Sequence, residues 1–389
     1  MSSPNGAVNI EDLRRLARRR LPRILFDYID GGAGGDAGVR RNRAAFEAYR
    51  LRPRYLVDVS ERSLTTSLWD RRFAAPFGIA PVGLVGLFHP RGELLLAQAA
   101  RDAGVPFILS GASIATIEDV ARVAQEHAWY QLYPAREQRI SLDLLRRADG
   151  AGLAVLVLTV DLPVPARRER DLRNGFDFAI KLSPSLLLDG LAHPRWAVHY
   201  LARGGLPAFG NWARYAAPGA SAREVAEFLV SQSFATQTWR DVELYRRQWP
   251  GRLVLKGIED VDDARRAADL GVDGLIVSNH GGRQLDCLPA AIDVLPAIRA
   301  AVGDRLAVMV DGGIQRGSDI AIALSLGADF AFVGRAPTYG VAAAGLAGAA
   351  RALAILREEL DLAMGQLGVT TVGGLAPELI ERVPGARAG

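Results

Sequence analysis

Lysine is nearly absent: Lys181 and Lys256 are the only two among 47 basic residues, and the rest are arginine. The skew reads as base composition. It makes a lysine at the end of a buried strand informative, because arginine cannot supply a compact ammonium whose pKa moves on burial. Cysteine is scarcer still; Cys287 alone excludes an internal disulfide framework and suits a reducing, cytoplasmic setting. No signal peptide and no apolar run long enough to span a bilayer stands out. Net charge is only +4 over 389 residues, with arginine spread along the chain, so nucleic acid is not an expected partner. No G-x-G-x-x-G fingerprint follows any strand, which argues against a nicotinamide dinucleotide, and no His/Cys/carboxylate spacing marks a metal site.

What is present is ordinary globular material, 49% hydrophobic and 23% charged. Residues 9–29 read as one or two helices broken near Pro22, followed by a glycine cluster at 31–35 that caps the second. From Phe77 a rhythm sets in. Apolar runs of strand length recur at 77–82, 105–110, 128–133, 153–160, 252–257, 273–278, 305–311 and 329–334, and helical patterns fill most intervals. Eight strands alternating with helices predict a (β/α)8 TIM barrel, with an N-terminal helical segment, as one domain over 1–389. The exception is the long interval between the fourth and fifth strands. This insertion, about 175–235, reads as a lid, a binding loop or a partly disordered segment.

In such a barrel chemistry gathers where the strands end. The sixth run continues into Ser278-Asn-His-Gly-Gly-Arg-Gln-Leu-Asp286, which puts an imidazole and a guanidinium just past a buried strand. His280 can exchange a proton near neutral pH, and Arg283 can hold a carboxylate with two parallel hydrogen bonds. The seventh and eighth runs end in Asp311-Gly-Gly313-Ile-Gln315 and Gly334-Arg335, a pattern suited to a phosphate. Ser110, Gln131, Thr159 and Ser278 end four other runs and suit the hydrogen-bonding edge of a flat heterocycle, with Lys256 beside them. A flavin mononucleotide (FMN) satisfies all of these demands.

With those residues in hand, the chain resembles the FMN-dependent L-2-hydroxy-acid oxidases and dehydrogenases, and within them the (S)-mandelate and membrane L-lactate dehydrogenases. The stretch 278–286 carries the resemblance, with Gln131-Leu-Tyr133, Thr159-Val-Asp161, Lys256-Gly257, the Leu56-Val-Asp-Val-Ser60 lead-in and Leu188-Asp-Gly-Leu-Ala-His-Pro-Arg-Trp196 in support. The resemblance implies that His280 removes a proton from the substrate and that Asp161 stabilises its charged form. It implies that Arg283 and Arg168 bind the substrate carboxylate with help from Tyr28, and that Tyr133 meets the substrate hydroxyl. Lys256 would stabilise the reduced flavin. Pro81, Val82, Gly83, Ser110, Gln131, Thr159, Ser278, Asp311, Gly313, Gln315, Gly334 and Arg335 would hold FMN.

Two departures from the family pattern bear on function. Gln315 stands where the family usually has Arg, replacing a charged phosphate contact by a neutral one. Ala112 stands where glycolate oxidase has Trp, and Gly83 where oxidases tend to have Ala; both leave room for a bulky group on C2. The expected reaction is oxidation of a mandelate-like or lactate-like (S)-2-hydroxy acid, with electrons passing to a quinone-type acceptor and the chain assembling as a homotetramer. A soluble oxidase using oxygen and a non-redox barrel binding a phosphorylated ligand are the alternatives. The insertion holds Leu186 to Leu188, Trp196, Tyr200, Phe209, Trp212 and Tyr215 among Arg195, Arg203 and Arg214. That mixture suits a segment lying in the headgroup region on the inner face of the cell membrane.

Overall fold

Eight short runs, buried on both faces as parallel strands are, close into a barrel. They are β1 (Phe77–Ile79), β2 (Phe107–Leu109), β3 (Ala128–Leu132), β4 (Val155–Thr159), β5 (Arg252–Ile258), β6 (Gly274–Val277), β7 (Ala307–Asp311) and β8 (Phe330–Val333). Each pairs in parallel with its neighbours in chain order, and β8 returns to β1 through Phe332↔Gly78, so no edge is left open. The computed structural model describes residues 4–176, 184–202, 205–233 and 237–383, the side chains of 184–187 excepted. Lys181, Arg203 and the side chains of Leu186 and Leu187 lie outside the described residues.

Strand alternation sets the two cores. Ile108, Trp129, Val155, Val157, Val254, Ile276, Met309, Phe330 and Phe332 cluster inside the barrel. Their neighbours, such as Leu156, Leu158, Leu255, Leu275 and Val310, belong to the larger core beneath the helices. A hairpin of Thr66–Leu68 and Arg71–Phe73 adds Leu68 and Phe73 to the inner cluster, and Trp69 packs against Trp129 at 5.7 Å. The inner cluster, from Phe73 to Phe332, fills the barrel as a packed core.

The N-terminal helices form where the caps allow. Asn9 accepts from the backbone of Asp12 to start Ile10–Arg20, and the chain breaks at Leu21-Pro22 before Arg23–Asp30. Gly92–Asp102, Ile117–Ala124 and Val261–Asp269 fill their expected intervals, the last two capped by Thr116 and Asp260. Helix Arg335–Leu367 has the length and apolarity of a membrane span, unlike any run picked out from the sequence. It breaks at Ala344–Gly345 and buries residues along its length, from Tyr339 and Val341 to Leu360 and Met364, so it is a core element.

The insertion departs most from expectation. Among the described residues it holds helices Pro184–Ala192, Pro194–Leu201 and Ala222–Gln232, and helices Glu169–Asn174 and Trp239–Gln248 flank it. Its aromatics do not share one outward face. Tyr200, Phe209 and Trp212 are buried; Tyr200 Oη donates to the Gly86 carbonyl, Trp212 Nε1 to that of Gly111, and Tyr215 Oη to Asp143. Trp196 is half-buried, its indole N–H donating to Leu87. Composition could not separate these from what is exposed: Leu188, Leu191, Val198 and Leu201, on two consecutive helices.

Candidate active site

A cavity opens at the carboxyl ends of the strands, lined among others by Tyr28, Pro81 to Gly83, Tyr133, Arg168, Lys256, His280, Arg283, Gly313 and Arg335. The loop after β6 brings the imidazole there. Ser278 Oγ donates to Asp311 at 2.5 Å and accepts from Lys256 Nζ at 2.8 Å and from the His280 N–H at 3.0 Å. His280, Gly281 and Gly282 then take three consecutive left-handed conformations, φ 58°, 64° and 77°. Histidine tolerates this region better than most residues. At Gly282 a Cβ would stand 2.6 Å from the Val39 nitrogen, so only glycine fits.

Asp161, just past β4, meets His280 Nδ1 with both oxygens, at 2.9 and 3.0 Å. Nε2 is thereby turned toward the cavity and lies 3.4 Å from the Tyr133 hydroxyl. Burial pushes the imidazole below its ordinary pKa against the pull of Asp161, with Lys256 and Arg168 pushing the same way as burial. Burial opposes ionisation of Asp161 too, but His280 and then Lys256 outweigh it and hold the carboxyl below the usual carboxylate range. The pair is thus a neutral imidazole beside a carboxylate, able to accept a proton at Nε2 and keep it. Burial drives the Tyr133 phenol well up, so it stays a hydrogen-bond donor.

Arg283 is held by its Nη1, which donates to the carbonyls of Tyr28 at 2.6 Å and Gly31 at 2.7 Å, with the guanidinium 4.7 Å above the Tyr28 ring. Its Nη2 is buried and, among the described residues, has no hydrogen-bond partner. Burial, and then the repulsion of Arg168, lower its pKa to about 10. Arg168 reaches over the same cavity, its Nε donating to the Arg283 carbonyl at 3.3 Å. Among the described residues neither arginine is ion-paired. The buried Asp171 offsets part of this charge without pairing with either; two cations without a direct ion pair and an orphaned N–H favour an anion, and a carboxylate fits them in a planar, bidentate way.

The remaining strand ends test the fit of FMN. Gln131 and Thr159 are fully buried; Gln131 Oε1 accepts from Gly111 N at 3.1 Å, while its Nε2 and Thr159 Oγ1 are left without partners. Native interiors rarely leave such groups unpaired, and a heterocycle edge with carbonyl acceptors would satisfy them. Lys256 faces the same mouth, though its charge is already shared with Asp311 at 3.0 Å. At the other end of the cavity lie Gly312, Gly313, Gln315, Gly334 and Arg335, where helix Arg335–Leu367 begins. Arg335 donates to the carbonyls of Ile29, Gly31 and Gly281 at 2.9 to 3.1 Å, and among the described residues no carboxylate neutralises it. Gln315 lines this end and adds no charge; Arg316 turns away to Glu359. The donor set fits a flavin with a phosphate on Arg335 and the helix N-terminus.

The catalytic, substrate and cofactor residues expected from the sequence line this cavity, except Gln131, Thr159, Asp161 and Ser278, which stand behind residues that do. Missed were Leu162, Trp212, Leu229, Val230 and Gln237, which line its outer wall. Gln237 donates to the Thr159 carbonyl at 3.3 Å and leaves its own Oε1 buried and unpartnered. No spacing in the insertion announces these positions.

A family model described as FMN-dependent dehydrogenase matches residues 17–382. The chain is 40% identical over 374 residues to (S)-mandelate dehydrogenase from Pseudomonas putida, covering 96% of this chain and 93% of that one. It is 40% identical over 375 residues to L-lactate dehydrogenase from Pseudomonas aeruginosa, covering 96% and 98%. Among solved structures, that of the monotopic membrane protein (S)-mandelate dehydrogenase superposes with a TM-score of 0.93 at 39% identity, over 97% of this chain and all of that one.

Proposed function

The chain belongs to the FMN-dependent dehydrogenase family, and from that premise we propose that it oxidises an (S)-2-hydroxy acid, mandelate-like or lactate-like, to the 2-oxo acid. One observation carries the reading: the His280–Asp161 pair opens onto the same cavity as the partnerless Nη2 of Arg283. In this reading residues 1–389 act as one domain. Arg283 and Arg168 hold the substrate carboxylate, with the Tyr28 hydroxyl beside them. Tyr133 donates to the substrate hydroxyl and orients it. Nε2 of His280 takes the proton released on oxidation, and Asp161 stabilises the imidazolium that results. FMN, when bound, would accept the two electrons together with the second proton. Gln131, Thr159, Ser110 and Ser278 hold its ring, Pro81 to Gly83 line the wall beside it, and Asp311, Gly313, Gln315, Gly334 and Arg335 hold its tail. Lys256 supplies the positive charge at the ring.

We further read the enzyme as a peripheral protein of the inner membrane face, a homotetramer that hands electrons to a quinone. The exposed apolar side chains of Leu188, Leu191, Val198 and Leu201, on two consecutive helices, support the membrane contact, as does the monotopic relative. The test is the absorbance of purified protein under anaerobic conditions, with lactate, mandelate and glycolate added in turn. Bleaching by mandelate or lactate is the expected result. A flavin spectrum that no 2-hydroxy acid changes would leave a ligand-binding barrel. Rapid oxygen consumption with no quinone reduction would make the enzyme an oxidase.

A further inference from the structure

The short helix Ala37–Ala44 lies across two loops that the reaction uses separately. One is the left-handed turn of His280, Gly281 and Gly282; the other is Gly312–Gly313, at the phosphate end of the cavity. Gly38 N donates to the Asp286 carboxylate at 2.6 Å, Arg41 to the carbonyls of Asp286 and Leu288 at 2.9 Å, and Arg43 to that of Gly313 at 3.3 Å.

Asn42 touches both loops. Its side chain is buried and exchanges two hydrogen bonds with that of Asn279, each 2.7 Å. The amide orientation is fixed by backbone partners: Asn279 Oδ1 also accepts from Gly282 N at 3.0 Å, and Nδ2 also donates to the Pro289 carbonyl at 2.8 Å. On the other side, the backbone carbonyl oxygen of Asn42 stands 2.2 Å from where a Cβ on Gly313 would be, so only glycine allows the contact. A Cβ on Gly312 would lie 3.4 Å from Asn42 Nδ2 and 3.6 Å from Asn279 Oδ1. The phosphate loop therefore packs at Gly313 on the Asn42 backbone and at Gly312 beside the two side-chain amides that brace the turn carrying the base.

We propose that the Asn42–Asn279 pair is a positioning element that couples the FMN phosphate loop to the placement of His280; this rests on the reading of His280 as the base. A left-handed histidine holds its conformation only while its surroundings determine it. Here Asn279 ties down Gly282, and Asn42 ties down Asn279. Removing the Asn42 amide strips one of two hydrogen bonds from each polar atom of the buried Asn279 side chain, leaving it held by Gly282 N and the Pro289 carbonyl alone, and removes the side chain that faces Gly312. Both loops loosen together.

The test is a double-mutant cycle on the FMN-loaded enzyme with N42L, N279L and the double variant. Each single change should weaken FMN binding about tenfold and slow flavin reduction at saturating substrate about tenfold, with the double variant no worse than either alone. The acid limb of the reduction rate should shift in all three, since His280 loses its fixed place over Asp161. Should N42L fail to fold with flavin, N42D, which still accepts from Asn279 Nδ2, is measured the same way and should show a smaller shift in the same direction. Additive losses, or a lowered melting temperature with FMN affinity and pH profile unchanged, would overturn the proposal. If wild type is not reduced by any 2-hydroxy acid, the substrate reading fails instead, and the FMN affinities alone still decide the coupling.

Discussion

Both carboxylate oxygens of Asp161 meet Nδ1 of His280, at 2.9 and 3.0 Å, leaving Nε2 as the one ring nitrogen that faces the cavity. This bond fixes tautomer, direction and charge preference together, so its removal has separable consequences. In D161N the imidazolium loses its counter-charge. The plateau rate of flavin reduction should fall about 100-fold. The acid limb should move to lower pH, because the base must be neutral to work and Asp161 is what raises its pKa. An acid limb moving upward would mean that Asp161 acts on some other group.

His280→Ala should keep FMN, whose proposed ring and tail contacts lie on other strand ends, and lose nearly all reduction by substrate. Flavin content by absorbance and rapid-mixing reduction measure the two separately. Undiminished reduction would remove His280 from the mechanism.

Arg283→Lys preserves charge but not geometry. Nη1 already serves two carbonyls while Nη2 stands unpartnered, and an ammonium cannot reach all three directions at once. We expect kcat/KM to fall about 100-fold, the cost of a lost charge-assisted bond and a displaced turn. An unaltered kcat/KM would count against a carboxylate clamp here.

Pocket width should set substrate order. A Cβ on Gly83 would lie 3.2 Å from the Ala112 carbonyl and 3.3 Å from its Cβ, so the two residues bound one gap. Mandelate should outperform glycolate in the wild type, and Ala112→Trp should reverse the order. A wild type preferring glycolate would defeat the argument.

Asp30 gives a stability prediction independent of substrate. It accepts from Arg14 at 2.5 and 2.9 Å, from Tyr339 at 2.8 Å and from Arg170 at 3.1 Å, joining both N-terminal helices to helix Arg335–Leu367 and to helix Glu169–Asn174. Burial alone would raise its pKa, but these partners, Arg14 foremost, hold it at about 2. The folded value is depressed, so the stabilisation is complete above the ordinary carboxylate pKa and is lost as pH falls toward 2. It amounts to about 2 kcal/mol at neutral pH. D30N should melt a few degrees lower at pH 7 and lose less stability than wild type between pH 4 and 2. Equal acid sensitivity in both would refute it.

The contrast between barrel and insertion shows what one sequence can carry. The run Gly274–Val277 is apolar, bounded by Asp273 and Ser278, and its period, length and boundaries all point to a buried strand; the rim residues follow from that placement. The Asn42–Asn279 pair spans 237 residues, and no local pattern encodes a contact at that separation. The insertion fails for another reason. Trp212 and Leu191 are both apolar and lie near Arg214 and Arg195, yet one donates to a barrel-rim carbonyl and the other faces outward. Only the packing of the helices decides which side of each is covered.

That sorting changes how membrane attachment is tested. Removing residues 182–215 outright would delete buried Asn211 and Trp212, whose side chains bond the rim segment 111–117, so loss of binding would be confounded by damage to the barrel. Substituting Leu188, Leu191, Val198 and Leu201 by serine touches only exposed side chains. Each leucine inserted into the acyl boundary contributes up to about 2 kcal/mol, and each arginine near an anionic surface about 1 kcal/mol. The four apolar side chains should therefore dominate. Wild type should sediment with anionic liposomes at low salt and in large part at high salt, since screening removes only the smaller contribution. The four-serine variant should stay in the supernatant while its flavin is still reduced by substrate. Binding that disappears with salt in the wild type, or persists in the variant, would assign the contact to arginines such as Arg195 and Arg214 and not to these apolar side chains.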